Sequence, residues 1–171
     1  KESEAVSWLF ISEVYGIGWQ GKLSEVLRGE VWRLVTPIFL HFGPVHLIFN
    51  MLGLLQLGGM IERHCGSRFF IWQVLVLAVA SNVCQVLFQD ARFGGYSGVL
   101  YGQFGYIWMK GRYDSNSGLH VSNETVAMAL IWFVICFSPT MHVANTVHTV
   151  GLVVGAAWGY LSARRSRHFV G

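Results

Sequence analysis

Apolar positions in this chain gather into long blocks separated by short polar breaks, and each block can be measured against the roughly 20 apolar residues that span a bilayer as a helix. The first runs from about Pro44 to Ile61 and opens on a proline suited to a first helical turn. The second, from about Phe69 to Phe88, carries Gln73, Asn82 and Gln85, whose amides must face other helices because lipid offers them no partner. A third spans Ser97 to Lys110. The fourth runs from about Val121 to Phe137 and stops before Pro139, where a helix breaks. The fifth, from about Val143 to Ala163, ends in Arg164, Arg165 and Arg167.

Residues 1–42 read differently. Acidic residues are mixed there with Trp8, Phe10, Trp19 and Trp32, and no stretch reaches spanning length, which predicts an outer interfacial loop region with short amphipathic helices. The expected fold is therefore all-α: a single membrane domain over residues 1–171, made of that loop region and five transmembrane helices within residues 43–171.

Composition agrees with the pattern: 53% of the residues are hydrophobic and 12% charged, which excludes an ordinary soluble domain. The net charge of +3 gives no reason to invoke nucleic acid, and its placement is more informative than its size. Alternating direction at each span puts Arg63 and Arg68, then Lys110 and Arg112, then the final arginines on one face, whereas the loop from Ser138 to His142 on the opposite face has no lysine or arginine. The positive-inside rule makes the first face cytoplasmic and places the N-terminal region outside. An intact protein beginning in the cytoplasm would then need a further span before Lys1. Cys65, Cys84 and Cys136 are odd in number and scattered among apolar residues, and are expected to pack rather than to form disulfides or a zinc site.

The third block carries the chemistry. A helix from Ser97 to Lys110 rises only ~21 Å, short of the ~30 Å hydrocarbon core, so it must begin inside the bilayer, after the glycine-rich run Gly94-Gly95-Tyr96. Irregular backbone at that depth is tolerated only where it is packed in protein or lines a water-filled cavity. Ser97 is thus expected at the floor of a wet cavity. The same topology brings His46 and Asn50 in the first span and His148 in the fifth to a similar depth, and ionisable groups in spanning helices are functional by default.

A serine hydroxyl becomes an effective nucleophile when a neighbouring base takes its proton, and His148 is the better-placed base. It shares a helical stripe with Gly151 and Gly155, continued by Gly159, at the small-xxx-small spacing that lets helices approach closely. Gly98, Gly102 and Gly105 offer a matching face beside Ser97. His46 and Asn50 are spaced i, i+4 and point the same way, so with the backbone N–H of Ser97 they can form an oxyanion hole. Each residue also has a plainer reading: Ser97 as a helix N-cap, His148 as a packing histidine bonded to a carbonyl, His46 and Asn50 as an interhelical hydrogen-bond pair. A metal site is not expected. His41 and His46, five residues apart, fall on different helix faces with no carboxylate nearby, and the neighbours His64 and Cys65 point apart. His120, His142 and His168 read as loop or interface residues.

Taken in order, Trp32-Arg33, His46-x-x-x-Asn50, Gly95-Tyr96-Ser97-Gly98 and Asn145-x-x-His148-x-x-Gly151-x-x-x-Gly155 resemble the rhomboid family of intramembrane serine proteases, from about Trp32 to the final arginines. The resemblance implies a bundle lacking the first transmembrane helix of the family's six-helix core. It also implies a Ser97–His148 dyad without a third acid, an oxyanion site of His46, Asn50 and the Ser97 amide, and supporting roles for Gly95, Gly98, Tyr101 and Asn145, with Tyr101 packed beneath His148. Trp132 and Met128 match the helix thought to gate lateral access of substrate. Transmembrane protein substrates and membrane lipid are the partners it implies, with no cofactor, in a bacterial inner membrane with the site opening to the periplasmic side. Two rivals stand beside this reading. A catalytically inactive relative that binds membrane proteins would have lost a dyad member, and Ser97 and His148 are both present. A small transporter or proton relay would want acidic partners within the spans, yet Glu62, Asp90, Asp114 and Glu124, the acidic residues between Pro44 and Ala163, all lie near span ends.

Overall fold

The computed structural model describes residues 4–12, 22–89, 91–138 and 144–168, which are helical with no β-strand among them. Trp19, Asp90, the break before Pro139 and the position of His142 lie outside the described residues. Two short helices, α1 (Glu4–Ser7) and α2 (Ser24–Leu27), and two 3₁₀ turns, Val31–Leu34 and Thr36–Phe39, precede five longer helices. These are α3 (Pro44–Cys65), α4 (Ser67–Phe88), α5 (Ser97–Tyr113), α6 (Asn123–Ile135) and α7 (Asn145–His168).

Helix boundaries follow local chemistry. α3 runs past the expected end at Ile61 as far as Cys65 and stops where Gly66 takes a positive φ of 84°. α6 starts two residues later than expected because Ser122 acts as its N-cap, its Oγ accepting from the Thr125 amide. α7 continues five residues beyond Ala163. Within α3 the ladder widens to a π-helical turn over Leu54–Gly58 that the apolar pattern did not disclose.

α3 and α4 are long and apolar enough to cross a membrane by length and composition, and α6 is a shorter apolar helix. α5 and α7 are less apolar for a packing reason. α5 sits at the centre, burying Val99, Gly102, Gln103, Phe104, Tyr106 and Ile107 against its neighbours, so its environment is largely protein.

The α5–α7 contact is the most extensive among the described elements. A Cβ on Gly151 would fall on the carbonyl oxygen of Gly98, one on Gly155 on that of Gly102, and one on Gly159 on that of Tyr106. Both numbers rise together, so the helices run parallel. α4 crosses α5 antiparallel: a Cβ on Gly98 would come 3.2 Å from Ser81 Oγ, and one on Gly102 would meet Leu77 at 2.6 Å. At the end carrying Arg63, Arg112 and Arg164, Lys110 pairs with Asp114 at 2.8 Å and donates to Ser166 Oγ at 2.7 Å, tying the end of α5 to α7.

At the opposite end of the bundle, buried polar groups hold the N-terminal region together and Asn82 ties it to α4. Arg33 is 2% exposed; its guanidinium donates to the Ser7 and Phe10 carbonyls, each at 2.9 Å, and to Glu30 at 2.6 Å. Asn82 on α4 donates to the Leu34 carbonyl at 2.9 Å, which gives that intramembrane amide the protein partner it requires. Glu25 is buried against Ser12 and Ser24, which donate to its carboxylate at 2.8 and 2.9 Å. Burial by itself raises that carboxyl, but these bonds, its backbone amide and Arg28 outweigh it and hold Glu25 below the usual carboxylate range.

Candidate functional site

Ser97 is the first residue of α5, and the chain reaches it through Gly95, whose φ of +119° is open to glycine alone. Space makes the same demand. A Cβ on Gly95 would lie 2.7 Å from His46 Cε1 and 2.9 Å from its Nε2, and 3.8 Å from Ser97 Oγ, so the imidazole and the serine face one another across the Gly95 backbone. The Gly95 amide donates to the Pro37 carbonyl at 3.0 Å and anchors the approach to the helix.

Ser97 Oγ stands 2.7 Å from His148 Nε2. His148 is 5% exposed and held on the first turns of α7, where Gly151 allows the close approach to α5 described above. Among the described residues no carboxylate orients the ring, and its buried Nδ1 has no hydrogen-bond partner. Its orientation comes from packing on the Tyr101 ring, with centroids 4.7 Å apart, and Tyr101 is braced edge-on by Phe133 at 5.4 Å. When the neutral imidazole carries its proton on Nδ1, Nε2 accepts from the serine hydroxyl, the arrangement general-base chemistry requires.

His46 and Asn50 lie on successive turns of α3 and line the cavity that also exposes Ser97 and His148. Asn50 is 3% exposed. Its amide nitrogen donates to the His46 carbonyl at 2.7 Å and keeps a second N–H, while its buried Oδ1 has no partner among the described residues. His41 differs from expectation. Its ring lies 5.2 Å from that of His46, because the chain turns at Gly43, with φ +136°, before the helix begins at Pro44, and helical spacing does not apply across that turn. Two imidazoles do not make a metal site, and among the described residues no group of three or more His, Cys, Asp or Glu is placed to hold one.

The cavity, about 1050 Å³, opens between α3, α5 and α6. Trp132 lines it from α6 together with Thr125 and Ala129, whereas Met128 is 71% exposed on the outside of that helix and does not line it. Asn145 opens α7; its carbonyl accepts from Thr149 Oγ1 at 2.9 Å, and its buried Oδ1 has no partner among the described residues. Gln56, in the π turn of α3, also lines the cavity and was passed over in the sequence. The signal that could have found it is its being the lone amide between Asn50 and Ile61 in an apolar block.

Comparison with known proteins agrees with the residues. The Rhomboid domain family model matches residues 28–165. Proteins named Rhomboid protease GlpG from Salmonella paratyphi A, Salmonella choleraesuis and Salmonella newport are each 38% identical to the chain over 146 residues, 84% of this chain and 53% of theirs. The chain thus spans about half the length of these curated relatives.

Proposed function

This chain belongs to the rhomboid family, and from that membership we propose that it is an intramembrane serine endopeptidase that hydrolyses peptide bonds in or near transmembrane segments of other membrane proteins. The observation that carries the reading is the 2.7 Å separation of Ser97 Oγ and His148 Nε2 within a cavity at the start of a membrane-embedded helix.

Ser97 Oγ attacks the scissile carbonyl carbon as His148 Nε2 takes its proton. The oxygen of the tetrahedral intermediate becomes an anion and accepts from the Ser97 amide at the helix start, from the spare N–H of Asn50 and from His46. Collapse breaks the C–N bond, and His148 returns the proton to the departing amine. Water then attacks the acyl-enzyme with His148 again as base, releasing the carboxyl product and restoring the hydroxyl. Packing on the tilted Tyr101 ring does for the imidazole what an aspartate does in a triad, which is to fix its direction; it does not add charge stabilisation.

Substrates with a small residue before the cut and helix-breaking residues nearby suit a site crowded by helices. α6 is the element best suited to yield to them. None of its residues is buried, and its Trp132 lines the cavity on the lateral side. The basic residues gathered at the far end of the bundle support an orientation in a bacterial inner membrane with the site open to the periplasmic side. The test is cleavage of a model transmembrane substrate in proteoliposomes. Ser97→Ala is expected to abolish turnover while leaving the melting midpoint nearly unchanged; undiminished cleavage by that variant would rule the reading out.

A further inference from the structure

Below the serine, the cavity wall between α3 and α6 is apolar for about two helical turns, from Gly53, Leu57, Leu100, Phe104 and Ala129. Gln56 interrupts it. Six residues after Asn50, it lies ~9 Å deeper along the α3 axis. It is exposed, and its side-chain amide makes no hydrogen bond to any described residue. The backbone around it is the π turn Leu54–Gly58, a feature that recurs at functional positions because the extra residue re-aims the side chains that follow it. An unpaired amide at membrane depth disfavours the isolated protein, since lipid offers it no partner. It makes sense if something entering the cavity supplies one.

We infer that Gln56 is a specificity-determining residue: its amide hydrogen-bonds a polar side chain of the substrate's transmembrane segment on the deeper side of the cut. This inference rests on the proteolytic reading above and narrows its substrate class. A segment that stays helical below the scissile bond covers ~9 Å in about six residues, and an extended one covers it in about three. The favoured substrate therefore carries Asn, Gln, Ser or Thr three to six residues below the cut. An amide, both donor and acceptor, is suited to Asn or Gln above all. Thr125 faces the cavity at a comparable inner level, but its hydroxyl already lies 3.2 Å from Ser122 Oγ at the α6 cap.

The experiment walks one asparagine through an otherwise Leu/Ala transmembrane segment, from two to nine residues below a fixed small-residue cleavage site, and measures kcat/KM with the wild-type protein in proteoliposomes. The expected profile peaks between three and six residues, about three- to fifteenfold above the asparagine-free segment, the range of measured hydrogen bonds between membrane helices. In Gln56→Leu and Gln56→Met the ratio of kcat/KM with and without the asparagine should fall to about one at every position, so that neither variant shows a peak. A flat wild-type profile, or the same peak in either variant, overturns the inference. Cleavage that persists in Ser97→Ala would instead overturn the reading of the active site, and this inference with it.

Discussion

At the scale of single residues, the site depends on groups that are small or neutral for stated reasons. Gly95 is the clearest. Its backbone excludes other residues, and the space a methyl group would occupy belongs to His46. Gly95→Ala is expected to cost about 1–3 kcal/mol through backbone strain and to push the imidazole off the oxyanion position. Its kcat should fall about 10²- to 10³-fold with a smaller change in KM, the signature of a donor used in the transition state. Steady-state kinetics on a model substrate measure this, and an unchanged kcat would remove His46 from the proposed oxyanion site. Ser97, His46, Asn50 and His148 stood out in the sequence because polar side chains in apolar blocks are rare, and the structure gathers all four around one cavity. The partnership of His41 with His46 and the role of Gln56 did not stand out. One depends on a turn at Gly43 that helical spacing cannot describe, the other on a π turn that leaves no trace in an apolar pattern.

Among the elements, the α5–α7 contact determines whether the serine and histidine meet. Their separation is set by glycines whose missing side chains let one backbone rest on the other, and the same stripe carries His148. Gly155 lies about two turns from His148 and does not line the cavity, so it isolates this effect. Gly155→Ala drives a Cβ onto the Gly102 carbonyl and should pry the helices apart, lowering the melting midpoint and reducing kcat about 10²-fold for a displacement near 1 Å at the dyad. Val153→Ala, on the exposed face of the same helix, should change neither. Equal effects from the two variants, read by thermal melting and cleavage assays, would mean that the glycine stripe does not set the geometry. That stripe was legible as a spacing. The lower apolarity of α5 and α7 was legible too, but its cause, a central helix enclosed by protein and a partner packed along it, appears only once the bundle is assembled.

For the whole molecule, the bundle divides into a fixed half and a looser half. α4, α5 and α7 share the buried core, and Asn82 fastens the N-terminal region, itself held together by Arg33 and Glu25, to its serine-bearing end. α6 stands apart with no buried residue, and the cavity lies between it and α3. A rigid dyad beside a yielding wall is what lateral admission of a transmembrane segment requires, since the reacting groups must hold their places while the substrate displaces something else. The longer helices among the described residues follow the order of the apolar blocks, but the blocks did not foretell this division. It depends in part on the facing glycine stripes of α5 and α7, and α6 carries no glycine. Activation of Ser97 by His148 is read out by mass spectrometry of the folded protein after treatment with a fluorophosphonate. A single covalent adduct on Ser97, lost in His148→Ala, is expected. Labelling at another residue, or an adduct on Ser97 that forms equally fast without the imidazole, would contradict it.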